Sequence, residues 1–98
     1  MTLRGMVINP KDNVVNLIGP GRTGATAECI VEGTVEVVTI ELVDDVPSNH
    51  KIAFCDISAG DPIIKYGLEI GKASQAIHRG QHVHIHNVES NRGRGDLK

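Results

Sequence analysis

Residues 49–67 read N-H-K-I-A-F-C-D-I-S-A-G-D-P-I-I-K-Y-G and carry the clearest signal of the chain's fold. They contain two short apolar segments, residues 51–57 and 63–66, which show no helical recurrence of apolar residues. The tetrapeptide Ala59-Gly60-Asp61-Pro62 between them is typical of a tight turn. The stretch therefore predicts two short β-strands joined by a corner.

Short segments of the same kind fill the rest of the chain. Apolar and β-branched residues recur in five further strand candidates, residues 6–8, 14–18, 27–31, 34–43 and 82–88. Glycine-containing turns separate several of them, and no window has the apolar spacing of a long helix. We therefore expect one all-β domain over residues 1–90. Residues 91–98 have almost no apolar content and predict a C-terminal tail.

Two details of the pattern predict local structure. In residues 34–43 the apolar parity changes between Val37 and Val38, which indicates a β-bulge because a strand cannot exchange its faces without a local defect. The heptapeptides that begin at Ile57 and Ile77 share the pattern Ile-x-x-Gly-x-x-(Ile/Val). This repeat predicts the same tight corner used twice.

The composition restricts the function classes. With 98 residues and two aromatic side chains, the chain allows one small aliphatic core, so we expect a subunit or module rather than a self-sufficient enzyme. A formal net charge of −2 lacks the basic footprint of a nucleic-acid binder. No apolar run approaches the roughly 20 residues of a membrane span, and the N-terminus lacks the apolar core of a secretory signal.

Two further motifs have structural interpretations. Cys29 and Cys55 lie in apolar segments without a C-x-x-C pair, so we interpret them as small reduced core residues of a cytoplasmic protein, with a disulfide or a nucleophile as alternatives. Residues 19–24 fit G-x-G-x-x-G, but the residues that follow indicate a strand rather than the helix that a phosphate site requires. We predict a surface loop there.

The strongest chemical signal is the segment H-V-H-I-H-N, from His82 to Asn87. If it is a strand, its side chains alternate, so His82, His84 and His86 share one face. Adjacent members then stand roughly 7 Å apart at Cα and the outer pair roughly 13 Å apart, so two imidazoles could meet one metal ion. Imidazole suits Zn, Fe, Ni and Cu. The alternative is a polar strand face with half-exposed histidines.

A fourth histidine, His50, precedes the apolar segment of residues 51–57. It shares parity with Ile52 and Phe54 and so continues their face at the end of the strand. A structural histidine is one interpretation. A general acid or base at the edge of a cleft is the other, since imidazole titrates near neutral pH.

Residues 49–67, 70–73 and 80–87, together with the opening N-P-K-D-N-V of residues 9–14, resemble the N-terminal domain of altronate dehydratases. The chain departs from that pattern at Asn49, where the family usually has glycine, and at Phe54-Cys55. The resemblance implies an all-β SAF domain with the β-clip fold. It also implies a sugar-acid hydro-lyase that uses a divalent metal, with Fe2+ expected and Mn2+ or Zn2+ as alternatives.

For this chain the resemblance implies the small subunit of a split enzyme. With a large catalytic subunit, it would contribute to eliminating water from an aldonate, an anionic sugar acid, to give a 2-keto-3-deoxy acid. The expected catalytic residues are His50, His84 and His86, the expected metal ligands His82, His84 and His86, and the expected substrate-binding residues Lys51, Lys65, Arg92 and Arg94. The alternatives are the small subunit of a sulfolactate sulfo-lyase, a non-catalytic SAF binding module and a stand-alone metal-binding protein. A homo-oligomer of the small subunit also stays open.

Overall fold

The short apolar segments form strands, and the segments rich in glycine form the turns between them. The computed structural model describes residues 3–90, and every regular element within that range is a β-strand. The nine strands are β1 (Leu3–Val7), β2 (Val14–Ile18), β3 (Thr26–Val31), β4 (Val37–Glu41), β5 (Lys51–Ala53), β6 (Pro62–Lys65), β7 (Leu68–Ala73), β8 (His82–Val83) and β9 (Val88–Ser90). The expected all-β fold is confirmed.

The strands form a larger and a smaller sheet. The larger has the order β4-β3-β1-β2-β5-β8 and the smaller the order β6-β7-β9. All pairings are antiparallel except that of β1 with β3. The larger sheet curls into a half-barrel, because Val43, just after β4, donates its N–H to the carbonyl of Gly80, just before β8, over 3.0 Å. The two ends of the strand order are thereby brought together.

Two groups of buried side chains stabilise the sheets. The first packs on the larger sheet and includes Val15, Leu17, Ile40 and Ile52. The second joins β2, β5 and β8 to the smaller sheet, and it consists of Val14, Ala53, Ile57, Ile63, Ala73, Ile77 and Val83. Each buried aliphatic side chain contributes about 1.5–3 kcal/mol. Val83 is fully buried, so it anchors the short strand β8, which carries His82.

The same corner occurs four times in the described residues. Each copy has a bridge residue, a two-residue turn and then a strand, in residues 21–26, 46–51, 57–62 and 77–82. The copies pair through the bridges Gly21↔Val46 and Ile57↔Ile77. The second turn residue of each copy has a positive φ, and these residues are Gly24, Asn49, Gly60 and Gly80. The repeat predicted at Ile57 and Ile77 is therefore confirmed, and two further copies were missed.

The predicted strands at residues 14–18, 27–31 and 63–66 agree with the structure to within one residue. The predicted bounds of the strands at residues 6–8, 34–43 and 51–57 were wrong, since β1 covers Leu3–Val7, β4 covers Val37–Glu41 and β5 covers Lys51–Ala53. β7 was missed, because its buried positions carry the small residues Gly71 and Ala73, while its large apolar residues Leu68 and Ile70 are exposed. The bulge predicted between Val37 and Val38 is absent, since β3 and β4 keep one register throughout. The parity changes because β4 begins only at Val37. The register shift in the described sheets lies between Ile63 and Ile64.

Candidate functional site

Strand pairing brings His50 to the histidines near β8. His50 directly precedes β5, and β5 pairs antiparallel with β8 in the register Lys51↔Val83. The residue before Lys51 therefore lies beside the residue after Val83. Two backbone hydrogen bonds hold His50, one from its N–H to the carbonyl of Pro47 over 3.2 Å and one from Leu17 to its carbonyl over 3.0 Å.

The predicted strand over residues 82–88 is wrong beyond Val83. Residues 84–87 form a turn, because the side chain of Asn87 competes successfully with strand pairing. This amide is fully buried, accepts a hydrogen bond from the N–H of His84 over 3.0 Å and donates one to the carbonyl of His82 over 2.8 Å. The histidines therefore converge through a turn and not through alternation along one strand face.

Four imidazole rings lie against one another at this turn. Nδ1 of His50 lies 2.8 Å from Nε2 of His82, so one of these nitrogens donates a proton to the other. The ring of His50 stacks on that of His84 at 4.2 Å between centroids, and the rings of His82 and His84 are 5.6 Å apart. The ring centroids of His86 and His82 are 5.1 Å apart, so the turn brings these two rings together, which the predicted strand face would not do.

Three of these histidines offer nitrogens to a common point. One ring nitrogen from each of His50, His82 and His84 lies within 4.8 Å of the other two, and all three side chains are half-buried. His86 is exposed, and its ring lies tilted against that of His82 without joining this group. The donor set suits a divalent transition metal. The predicted ligand set of His82, His84 and His86 thus differs from this arrangement by one residue.

The surroundings favour the neutral form of the imidazoles of His82 and His84. Burial lowers the pKa of His82, and the neighbouring His86, His50 and His84 lower it further, while Asp44 partly opposes them. Burial also lowers the pKa of His84, with added repulsion from His50 and Lys51. Asp44 accepts a hydrogen bond from the backbone N–H of His82 over 3.0 Å. Neutral rings keep a lone pair for a metal ion or a proton.

Lys51 lies beside the histidine cluster, and Lys65 lies near Lys51. Lys51 is half-buried, and burial together with the nearby Lys65 lowers its pKa. Lys51 and His84 line a cavity of about 200 Å³ whose other walls are Ile70, Ile85 and Val88. An anionic group would relieve the repulsion between the two lysines. The predicted substrate residues Arg92 and Arg94 lie outside the described residues.

A larger cavity offers less chemistry. It measures about 600 Å³ and lies along β4, where Arg79 donates to the carbonyl of Thr39 over 3.1 Å. No histidine lines it. The smaller cavity beside His84 is therefore the better candidate site.

Sequence reasoning missed two residues that shape this site, Asp44 and Asn87. Asn87 ends the H-V-H-I-H-N segment, so its position beside three histidines was a usable signal. The sequence gives no such signal for Asp44, because the contact of Asp44 with His82 depends on the curl of the larger sheet. His78, although close in sequence, lies exposed on a corner, where its N–H bonds to Gln81.

The fold of paired corners and the edge that holds the histidines place this chain among the SAF domains. Residues 3–91 match the altronate/galactarate dehydratase SAF domain. The chain therefore belongs to that family.

Its relatives include dehydratases and lyases. The chain is 50% identical to altronate dehydratase of Bacillus subtilis (strain 168) over 54 residues. This aligned segment makes up 55% of this chain and 11% of that protein. It is 42% identical to (2R)-sulfolactate sulfo-lyase subunit alpha of Chromohalobacter salexigens over 52 residues. These residues make up 53% of this chain and 55% of that subunit. The subunit alpha of Paracoccus pantotrophus is 36% identical over 64 residues, which cover 65% of this chain and 96% of that one.

The chain thus spans about a tenth of the altronate dehydratase and about half of the Chromohalobacter salexigens protein that it matches. The name subunit alpha marks those two sulfo-lyase chains as parts of multi-subunit enzymes. No helix in residues 3–90 is long and apolar enough to cross a membrane.

Proposed function

We propose that this chain is the SAF component of a lyase that eliminates water from an aldonate, together with a large catalytic subunit of the same family. The observation that carries the proposal is the convergence of His50, His82 and His84 beside Lys51 and its cavity. Proton-transfer groups, candidate metal ligands and cationic groups for a carboxylate meet there. The reaction would give a 2-keto-3-deoxy acid in the cytoplasm.

The elimination has two chemical requirements that these side chains address. The proton next to the carboxylate is weakly acidic, so its removal needs positive charge close to that carboxylate, and Lys51 and Lys65 supply it. The departing hydroxyl needs a proton, and we assign both proton transfers to the exposed imidazole of His86, which would take the proton next to the carboxylate and deliver it to the hydroxyl that leaves as water. Arg92 and Arg94 stay predicted substrate contacts.

A divalent metal, Fe2+ in this proposal with Mn2+ or Zn2+ as alternatives, would hold the substrate carboxylate and stabilise its developing negative charge. His50, His82 and His84 fit such an ion because their nitrogens converge. His50 and His84 would therefore contribute to catalysis by holding the metal ion, and His86 by transferring the proton.

A second candidate is the elimination of sulfite from a sulfolactate. The observation that favours it is the match across 96% of the Paracoccus pantotrophus sulfo-lyase subunit alpha. The same cationic and imidazole groups would serve, because the carboxylate and the acidic proton occupy equivalent positions and only the leaving group differs.

The test is an anoxic activity assay of the chain co-purified with a large subunit of the family and Fe2+. Altronate and galactarate are assayed for 2-keto acid and sulfolactate for sulfite. We expect 2-keto acid from a sugar acid and a loss of at least about 100-fold in His84→Ala and His86→Ala. His78→Ala is the matched control, because His78 is an exposed histidine outside the cluster.

Each other outcome decides against part of the proposal. Sulfite release without 2-keto acid from any sugar acid would select the second candidate. A complex whose turnover is the same in wild type, His84→Ala and His86→Ala would contradict a chemical role for this chain. No complex and no turnover with any large subunit would favour the non-catalytic binding module.

A further inference from the structure

We propose that this chain by itself holds one divalent transition-metal ion through ring nitrogens of His50, His82 and His84, with His86 outside the ligand set. The use of that ion in elimination rests on the proposed function, whereas its binding does not. The proposal places the metal on this component rather than on the large subunit.

The distances between the ring nitrogens suit one ion after small movements. Metal–imidazole bonds of about 2.0–2.1 Å in tetrahedral geometry put ligand nitrogens about 3.3 Å apart. Nδ1 of His50 and Nε2 of His82 are already 2.8 Å apart, and all three nitrogens lie within 4.8 Å. The proton that His50 and His82 share occupies the position between two ligands, so binding would release it.

Backbone contacts hold each ligand in place before any ion binds. The carbonyl of His50 accepts from Leu17, the N–H of His82 donates to Asp44, and the N–H of His84 donates to Asn87. The buried amide of Asn87 also fixes the carbonyl of His82. Ordering the ligands in advance lowers the entropic cost of binding.

The donor set selects the class of metal. Three imidazoles without a carboxylate, among residues 3–90, favour Zn2+, Co2+, Ni2+, Cu2+ or Fe2+ over Mg2+ and Ca2+, which prefer oxygen. The cavity beside His84 leaves room for a non-protein ligand, as in metal sites with an open position.

His86 is the residue that distinguishes this site from a run of histidines along one strand. It is exposed, and its ring packs against His82 instead of joining the three converging nitrogens. Removing His86 should therefore leave the ion in place, whereas removing His50, which lies far away in sequence, should not.

The experiment titrates the full-length chain alone with Co2+ and follows its visible absorption, then displaces Co2+ with Zn2+. We expect one ion per chain and an intense spectrum of low coordination number. His50→Ala, His82→Ala and His84→Ala should each weaken binding by at least about tenfold, while His86→Ala and the control His78→Ala should change it less than about threefold.

A second measurement needs no substitution and so does not depend on variants that fold. Imidazole nitrogen resonances of the wild-type chain are recorded with and without Zn2+. We expect large shifts for His50, His82 and His84, and none for His78.

Three outcomes would overturn the proposal. The first is that the wild-type chain does not bind Co2+ stoichiometrically. The second is that Zn2+ leaves the His50 resonance unshifted and His50→Ala keeps full Co2+ affinity. The third is that His86→Ala loses as much Co2+ affinity as His84→Ala. An active complex whose isolated small component binds no metal would refute this site and leave the proposed function standing.

Discussion

The carboxylate of Asp12 accepts a hydrogen bond from the N–H of Gly67 over 2.8 Å, although 55 positions separate the two residues. Its other oxygen accepts from Tyr66 and Asn9, and the side chain is buried. Tyr66 and Gly67 both have positive φ and connect β6 to β7. Asp12 therefore fixes the smaller sheet to the connection between β1 and β2, and through it the wall of the cavity that Ile70 lines.

Replacing Asp12 should destabilise the fold strongly. Asp12→Ala leaves three backbone N–H groups without their acceptor, so we expect a loss of about 2–4 kcal/mol in the free energy of unfolding, measured with urea. Asp61→Ala is the control, because Asp61 is exposed and its carboxylate accepts a long hydrogen bond of 3.3 Å from the N–H of Ser58. Equal losses in both variants would contradict an anchoring role for Asp12.

The departure from the family at Asn49 has a backbone explanation. Asn49 has a φ of 67° at the second turn position of its corner, where the other three copies have glycine. Asparagine is among the residues that tolerate this region best. We expect Asn49→Gly to stabilise the chain by a few tenths to about 1 kcal/mol in urea unfolding.

The neighbouring Ser48 provides a matched control for Asn49. Ser48 lies in the same turn without a positive φ, so Ser48→Gly adds backbone freedom to the unfolded chain without relieving strain. It should destabilise. If Asn49→Gly and Ser48→Gly change the free energy of unfolding in the same direction, strain at Asn49 does not limit the stability of this corner.

The repeated corners also predict unequal responses to alanine. Gly60 and Gly80 have φ of 89° and 86°, so alanine at either position costs about 1 kcal/mol from the backbone alone. At Gly60 the added Cβ meets open space, whereas at Gly80 it would overlap the carbonyl oxygen of Glu41. We expect Gly80→Ala to lose at least about 2 kcal/mol more than Gly60→Ala in urea unfolding. Similar losses would mean that the C-terminal end of β4, which holds Glu41, moves aside at little cost.

Much of the fold could be predicted from the sequence because its strands are short and local. The corner at Ile57 was predictable from its glycine and its proline, and the one at Ile77 from the shared heptapeptide. The corners at Gly21 and Val46 share almost no residue identities with the corners at Ile57 and Ile77, since the copies pair through backbone hydrogen bonds. A pattern of residue types cannot report such a contact.

The candidate site was predictable in its members more than in its geometry. His82 and His84 are near each other in any conformation, so their participation followed from the sequence. His50 joins them only through the pairing of β5 with β8, which is a long-range contact. The turn at residues 84–87 went unpredicted because alternating histidines and aliphatic residues indicate a strand, while the buried amide of Asn87 decides otherwise.

Asn87 should act as a positioning residue for the histidines. Asn87→Ala removes the bonds to His82 and His84, so we expect lower stability and about tenfold weaker Co2+ binding by the chain. Asn13→Ala is the control, because Asn13 makes an equivalent pair of bonds to Pro62 and Ile64 away from the cluster. It should lose stability alone. A parallel loss of Co2+ affinity in Asn13→Ala would reduce Asn87 to a general structural role.

Cys29 is buried in the core as predicted, whereas the same prediction for Cys55 was wrong, since Cys55 is exposed. The burial of Cys29 should make the free energy of unfolding depend on pH in the alkaline range. Burial raises the pKa of Cys29 from 9.0 to about 11, and Arg79 only partly offsets this. Between those pH values the unfolded chain loses the thiol proton while the folded chain keeps it, so the unfolded state binds fewer protons and stability falls as pH rises. The free energy of unfolding falls by about 1.4 kcal/mol per pH unit in that window. Below pH 9 the thiol is protonated in both states, and its stabilising contribution is fully present. Urea unfolding of wild type and Cys29→Ala from pH 8 to pH 11 measures it, because the variant lacks this thiol and keeps Cys55 and every other titrating group. The wild-type curve should fall toward the variant curve as pH increases, and two parallel curves would show that Cys29 ionises without leaving the core.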